Sequence, residues 1–432
     1  MNATPRIVFT GIGAVCAAGL DVESIWSAIQ ARRSAIAAIR QWDASDWPVE
    51  VAAEVSGVDN RTLVEDRKLH KTISRTDLFG LYAAGAAIRQ SGVLTLRQTL
   101  DDVAAAQFND RSAAFVGSGG GAYESNYEFF PLMTAAGGDL RRFGRELCDT
   151  VNPMWLLKHL PNNVLCHVGI RHGFKGTNAC ITNHCVGGAM AVAEAANAIR
   201  WAEADRAVAV GHDAPIEPET VLHFHRLGLL AHDSVRPFDE SRSGTVLGEG
   251  AGAVLLETES DARKRGAVVL GEFLGSGCVT ESTGVLDVRS DGDGLSRAIE
   301  LAMTDAELSP RSVGMIVAHG NGTRASDASE AIALRRVFGA DLPPITAFKW
   351  SFGHLIAASG VVDLSLALTC LRQQVVPGVP ALRKVDPDLA PLPVSANAQK
   401  PRGDRALVLC RGFGGMNVAL LVRADPDSMP VE

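Results

Sequence analysis

Three elements far apart in the chain carry residue types suited to covalent acyl chemistry. They are Cys185 in Cys180-Ile181-Thr182-Asn183-His184-Cys185-Val186-Gly187-Gly188, His319 in Ala318-His319-Gly320, and Lys349 with His354 in Lys349-Trp350-Ser351-Phe352-Gly353-His354. Cys185 follows an apolar run and precedes two glycines and a long helical pattern, so its sulfur is expected at a helix N-terminus on a sharp turn. There the helix dipole and free backbone N–H groups stabilise a thiolate and can hold the oxyanion of a thioester adduct. Cys180, inside the expected strand, lacks that help and reads as structural. The glycines beside His319 and His354 allow close backbone approach, and each histidine ends or follows an apolar run, which aims its imidazole into a pocket.

The elements that must position these residues follow from periodicity. Short β-branched or apolar runs begin at Arg6, Ala113, Arg206, Ala253 and Met315 and alternate with helical patterns over 22–37, 78–92, 189–204, 294–306 and 361–371. That alternation is an α/β signature, and Asp21 is expected to cap the first helix. The helix after Cys185 is small and apolar nearly all round, so it is expected to be buried. The charged stretch 258–266 marks a surface element between two halves, 1–260 and 261–432.

Other motifs read more plainly. Gly11-Ile12-Gly13 lacks the third glycine and the distant acid of a dinucleotide fingerprint and reads as a tight strand turn. The run 117–121, Gly-Ser-Gly-Gly-Gly, reads as backbone room beside a ligand. His223 and His225 could lie on one strand face, but no third ligand accompanies them, and His167 and His172 read the same way; no metal site is expected.

Composition sets outer limits. The 432 residues are 47% hydrophobic with a net charge of -8, which disfavours broad binding to nucleic acid or anionic membranes. The eight cysteines are scattered, unlike a disulfide framework. Neither a spanning segment nor a secretory leader is evident, so a cytoplasmic location is expected.

Taken together, Gly176 to Cys185, the segment 236–252 beginning Arg-Pro-Phe-Asp, His319-Gly320-Asn321-Gly322-Thr323, Lys349 to His354 and Gly412-Phe413-Gly414-Gly415-Met416-Asn417 resemble the β-ketoacyl-acyl-carrier-protein synthases, most closely the KAS II-like branch. The similarity covers essentially the whole chain, and the spacing to Ala204-Asp205 favours Cys185 over Cys180 as nucleophile. The resemblance implies the thiolase fold, five layers αβαβα built from two similar halves. It implies that Cys185 takes an acyl group from the phosphopantetheine of an acyl carrier protein, and that a malonyl thioester loses CO2 to give the carbanion that attacks it. No resident cofactor is implied, because the phosphopantetheine arrives on the carrier.

The resemblance also assigns roles. His319 and His354 would stabilise the enolate and Lys349 would tune the His319 side. The N–H groups of Cys185 and Phe413 would form the oxyanion hole, with Phe413 gating the pocket. Thr323, Asn321, Gly120 and Gly414 would contact substrate, and Glu330 and Asp363 would support the site from behind. Lys71 and Arg75, four apart on one expected helix, would dock the acidic carrier, with Lys68 and Arg226 nearby. A homodimer, or a heterodimer with a chain-length-factor-like subunit, is implied.

Departures from the family pattern are His184 in place of a small residue, Arg411 in place of an aromatic, Met416 in place of Thr, Ser243 and Thr245 in the Arg-Pro-Phe-Asp motif, and Gly120 where a bulky residue is common. They favour a specialised polyketide or polyene pathway, and Gly120 is expected to open the acyl pocket to longer chains. The alternatives are a chain-length-factor-like partner, which commonly lacks the nucleophile, and a thiolase or acyltransferase of the same fold. Thiolases use a second cysteine, for which Cys410 lies nearest.

Overall fold

The computed structural model describes residues 5–120 and 126–425. Its centre is a ten-stranded sheet in which one topology occurs twice. In chain order the first half contributes Ile7–Cys16, Ser112–Ser118, Asn178–Ile181, Arg206–Asp213 and Gly250–Thr258, and the second contributes Gly271–Thr280, Met315–Val317, Ile345–Thr346, Arg405–Gly412 and Met416–Ala424. Across each half the order is third, second, fourth, fifth, first, and only the pairings made by the fifth strand are antiparallel. The halves join where Ile7, Val8 and Phe9 pair with Phe273, Glu272 and Gly271.

Helices fill three further layers. Arg75–Ser91 covers the outer face of the first half and Asp293–Asp305 that of the second, while Gly187–Arg200 and Ser359–Gln373 run between the half-sheets and touch strands of both. The result is the αβαβα thiolase architecture. The central pair is apolar all round because every side of it meets a sheet or the other helix. Ile356–Gln373 is long and apolar enough to cross a membrane by composition, yet 83% of it is buried here in the core.

Several local expectations change. Asp21 caps a helix with Ser24 in a reciprocal box, but that helix ends at Gln30 instead of running to residue 37. Gly11 and Gly13 form no turn. They sit inside the ten-residue first strand, where a Cβ would come within 2.0 and 2.1 Å of the Ala87 and Ala83 carbonyl oxygens, so their absent side chains let the covering helix approach. His223 and His225 lie on the helix Pro218–Arg226, not on a strand.

Candidate active site

Cys185 and His354 stand near the same turn of the repeat, Cys185 in the middle of its turn and His354 two residues before the equivalent one. Each follows the third strand of its half and precedes a short 3-10 turn or lies in it, at the head of a central helix. The two helix heads touch: a Cβ at Gly188 would meet the Ala357 carbonyl oxygen at 2.3 Å, so glycine there is what allows the contact. His319 lies two residues beyond the second strand of the second half, and the loop Gly412–Met416 closes over both from the hairpin of its fourth and fifth strands. A Cβ on Gly412 would lie 3.3 Å from Cys185 Cβ and 3.5 Å from Cys185 N, so this loop packs directly against the turn that carries the thiol.

These residues line one pocket, together with Phe224, Leu229, Thr245, Glu281, Asn321, Thr323, Ser326, Arg411, Gly415 and Met416. The His319 and His354 rings stand 5.3 Å apart, nearly perpendicular. Their hydrogen bonds fix the proton positions. The Arg411 N–H donates to His319 Nδ1 at 3.3 Å, and the Ile356 N–H donates to His354 Nδ1 at 3.2 Å. Each neutral ring must therefore carry its proton on Nε2, as a donor. Burial holds both imidazoles well below the ordinary histidine value, and the Lys349 charge reinforces this.

The supporting groups are buried and paired. Lys349 Nζ donates to the His319 carbonyl oxygen at 2.7 Å and lies 3.4 Å from Asp363 Oδ2. The Glu330 carboxylate accepts the backbone N–H groups of His319 at 2.8 Å and Gly320 at 2.9 Å, which fixes the loop carrying the imidazole. Asn321 Oδ1 accepts from both N–H and Oγ1 of Thr323. Arg411 is held by Glu281 at 2.8 Å and the Ser326 carbonyl oxygen at 3.1 Å, so it forms a fixed wall where the family pattern has an aromatic.

The nucleophile's environment differs from expectation. Burial pushes the Cys185 thiol well above the ordinary cysteine value, aided by Cys410 and Asp213 and opposed by Lys349. With its value pushed up in this way, Cys185 rests as a thiol. Cys180 is half-buried in its strand and donates to the Pro161 carbonyl oxygen. Cys410 donates to the Cys185 carbonyl oxygen at 3.0 Å, and burial pushes it up to about 12.

Three expected contacts are corrected. Gly414 does not line the pocket, because its N–H donates to the Val285 carbonyl oxygen and its own carbonyl accepts from Thr280 Oγ1, which ties the loop down. Gly120 is exposed with nothing within 4 Å of a Cβ, and its φ of 114° strains any side chain; Gly119 instead lines a second cavity that shares Phe224 and Phe413 with the first. Lys71 ends a 3-10 turn, whereas Arg75 begins the next helix and donates to Glu249, which is fully buried. Arg75 is thus a structural cation, while Lys71 and Lys68 are exposed.

Phe224, Glu281 and Asp213 also line the two cavities, although no motif in the sequence points to Glu281 or Asp213. Only the Phe224 signal was legible, as the apolar residue between two histidines.

Comparison with known proteins settles the family. Models of the β-ketoacyl synthase N-terminal and C-terminal domains match residues 4–262 and 270–383. The chain belongs to the β-ketoacyl synthase family. It is 31% identical to nodulation protein E of Rhizobium sp. (strain N33), covering 97% of this chain and 99% of that one. It is 29% identical to 3-oxoacyl-[acyl-carrier-protein] synthase 2 of Staphylococcus aureus (strain N315), covering 98% and 99%. The solved structure of the ishigamide ketosynthase/chain length factor superposes with a TM-score of 0.86 at 26% identity, covering 98% of this chain and all of that one. As a β-ketoacyl synthase it is a condensing enzyme of the acyltransferase type.

Proposed function

We propose that the chain catalyses decarboxylative Claisen condensation between an acyl group on Cys185 and malonyl-acyl carrier protein, giving 3-oxoacyl-acyl carrier protein. The observation that carries this reading is the pair of imidazoles whose Nδ1 atoms accept backbone N–H, leaving two Nε2–H donors in the pocket of a buried thiol. Loss of CO2 from a malonyl thioester places negative charge on the thioester oxygen, and fixed donors in a dry site stabilise it. The new carbanion attacks the acyl carbonyl on Cys185. The resulting oxyanion is held by the N–H groups of Cys185 and Phe413, and the Cys185 sulfur leaves.

Carrier protein as partner is supported by the relatives' named substrate and by the exposed Lys68 and Lys71. A chain-length-factor partner is supported by the ishigamide complex. A thiolase reading is disfavoured by Cys410, whose S–H is engaged by the Cys185 backbone. The test is condensation of acyl- and malonyl-carrier protein, followed by the mass of the carrier-bound product. We expect His319→Ala and His354→Ala each to lower turnover by about 10²- to 10³-fold; a change below about tenfold for both would refute the donor roles.

A further inference from the structure

Among the described residues, one basic side chain lies within hydrogen-bond distance of the Cys185 thiol. His184 Nδ1 lies 3.0 Å from Sγ. The other pocket groups are committed: His319 and His354 accept backbone N–H on Nδ1 and so carry their protons on Nε2, Lys349 donates to the His319 carbonyl oxygen, and Cys410 donates to the Cys185 carbonyl oxygen. None of them can receive the proton that Cys185 must lose.

The His184 ring is also held in place. It packs 5.0 Å from the Phe413 ring and 6.2 Å from that of Phe224. Its φ of 47° is matched by 48° at Ile356, which opens the equivalent 3-10 turn before the second central helix. The left-handed turn is therefore a property of the repeated fold, and only the first copy places a base on it.

We propose that His184 is the catalytic base of the acylation half-reaction. As Cys185 Sγ bonds to the carbonyl carbon of the incoming acyl thioester, the S–H proton moves to His184 Nδ1. When the tetrahedral adduct collapses, the bond to the carrier thiol breaks and the proton passes from His184 to the departing sulfur. One thioester replaces another and the imidazole ends neutral, so the step balances without a co-reactant. The acyl donor rests on the condensing reading above; the base does not.

The resting state fits this. Burial pushes the Cys185 thiol up and holds His184 down to about 4, so both partners are neutral and the proton must leave during the step. The titratable groups around the ring are Cys185 and His354 on the catalytic side, with Asp213, Glu217, Glu219 and His223 lining the second cavity that His184 shares.

The test is alkylation of Cys185 by iodoacetamide in the full-length wild type, His184→Asn and His184→Gly, with and without added imidazole, alongside malonyl-carrier decarboxylation. Asn and Gly tolerate the left-handed backbone but cannot take up the proton. We expect alkylation and carrier acylation to slow by about 10²-fold or more, decarboxylation to fall less than a tenth as far, and imidazole to restore alkylation of His184→Gly by at least about tenfold. Equal alkylation in all three proteins would overturn the proposal, as would a proportional loss of both reactions without imidazole rescue. Alkylation needs no acyl donor, so failure of the base and failure of the condensing reading are distinguishable.

Discussion

At the residue scale, the pocket works by withholding protonation. His319 and His354 are buried beside Lys349, which favours their neutral forms and keeps each Nε2–H available as a donor. Their folded values lie below the ordinary value of about 6.5, so acidification through that value leaves them neutral and their donor function intact. Condensation rates measured with saturating carriers should therefore vary by less than about twofold from about pH 7.5 down to about pH 6; a fall centred near pH 6.5 would show that one imidazole titrates normally. The three motifs with Cys185, His319 and His354 were legible because glycines and apolar runs flank them. Glu281 and Asp213 were not, since an acidic residue shows its partner only once distant strands meet.

At the scale of elements, charge pairing separates two residues that looked alike. Arg75 was grouped with Lys71 because four residues on a helix share a face, but a 3-10 turn ends between them and the helix start delivers Arg75 to Glu249. Removing it leaves a carboxylate whose side chain is 0% exposed with the neutral donors of Gln41 and the Val55 N–H but without the guanidinium charge. Arg75→Ala should cost about 3–5 kcal/mol of stability, as expected when one partner of a buried pair is lost, whereas Lys71→Ala should leave stability within about 0.5 kcal/mol and raise the KM for carrier protein. Urea denaturation and carrier titration check both; equal stability of the two variants contradicts the assignment. Strand and helix existence was legible from periodicity, but glycines in the first strand mimicked a turn because their reason, a covering helix, is not local.

At the scale of the molecule, the repeat explains why the site forms where it does. Two half-sheets of one topology place two central helices head to head, one headed by Cys185 and the other by the His354 turn, and the hairpin loop at Gly412–Met416 closes the space. Alternation of strands and helices indicated α/β, and the family resemblance supplied the two halves; the equal strand order emerges only from long-range pairing. The central claim is that this arrangement carries an acyl chain on one sulfur. Intact-protein mass spectrometry after incubation with acyl-carrier thioesters, followed by peptide mapping, tests it in wild type and Cys185→Ala. We expect wild type to gain the acyl mass at Cys185, to lose it on adding malonyl-carrier protein, and Cys185→Ala to gain none; an unmodified wild type, or an adduct that persists in Cys185→Ala, would contradict the account.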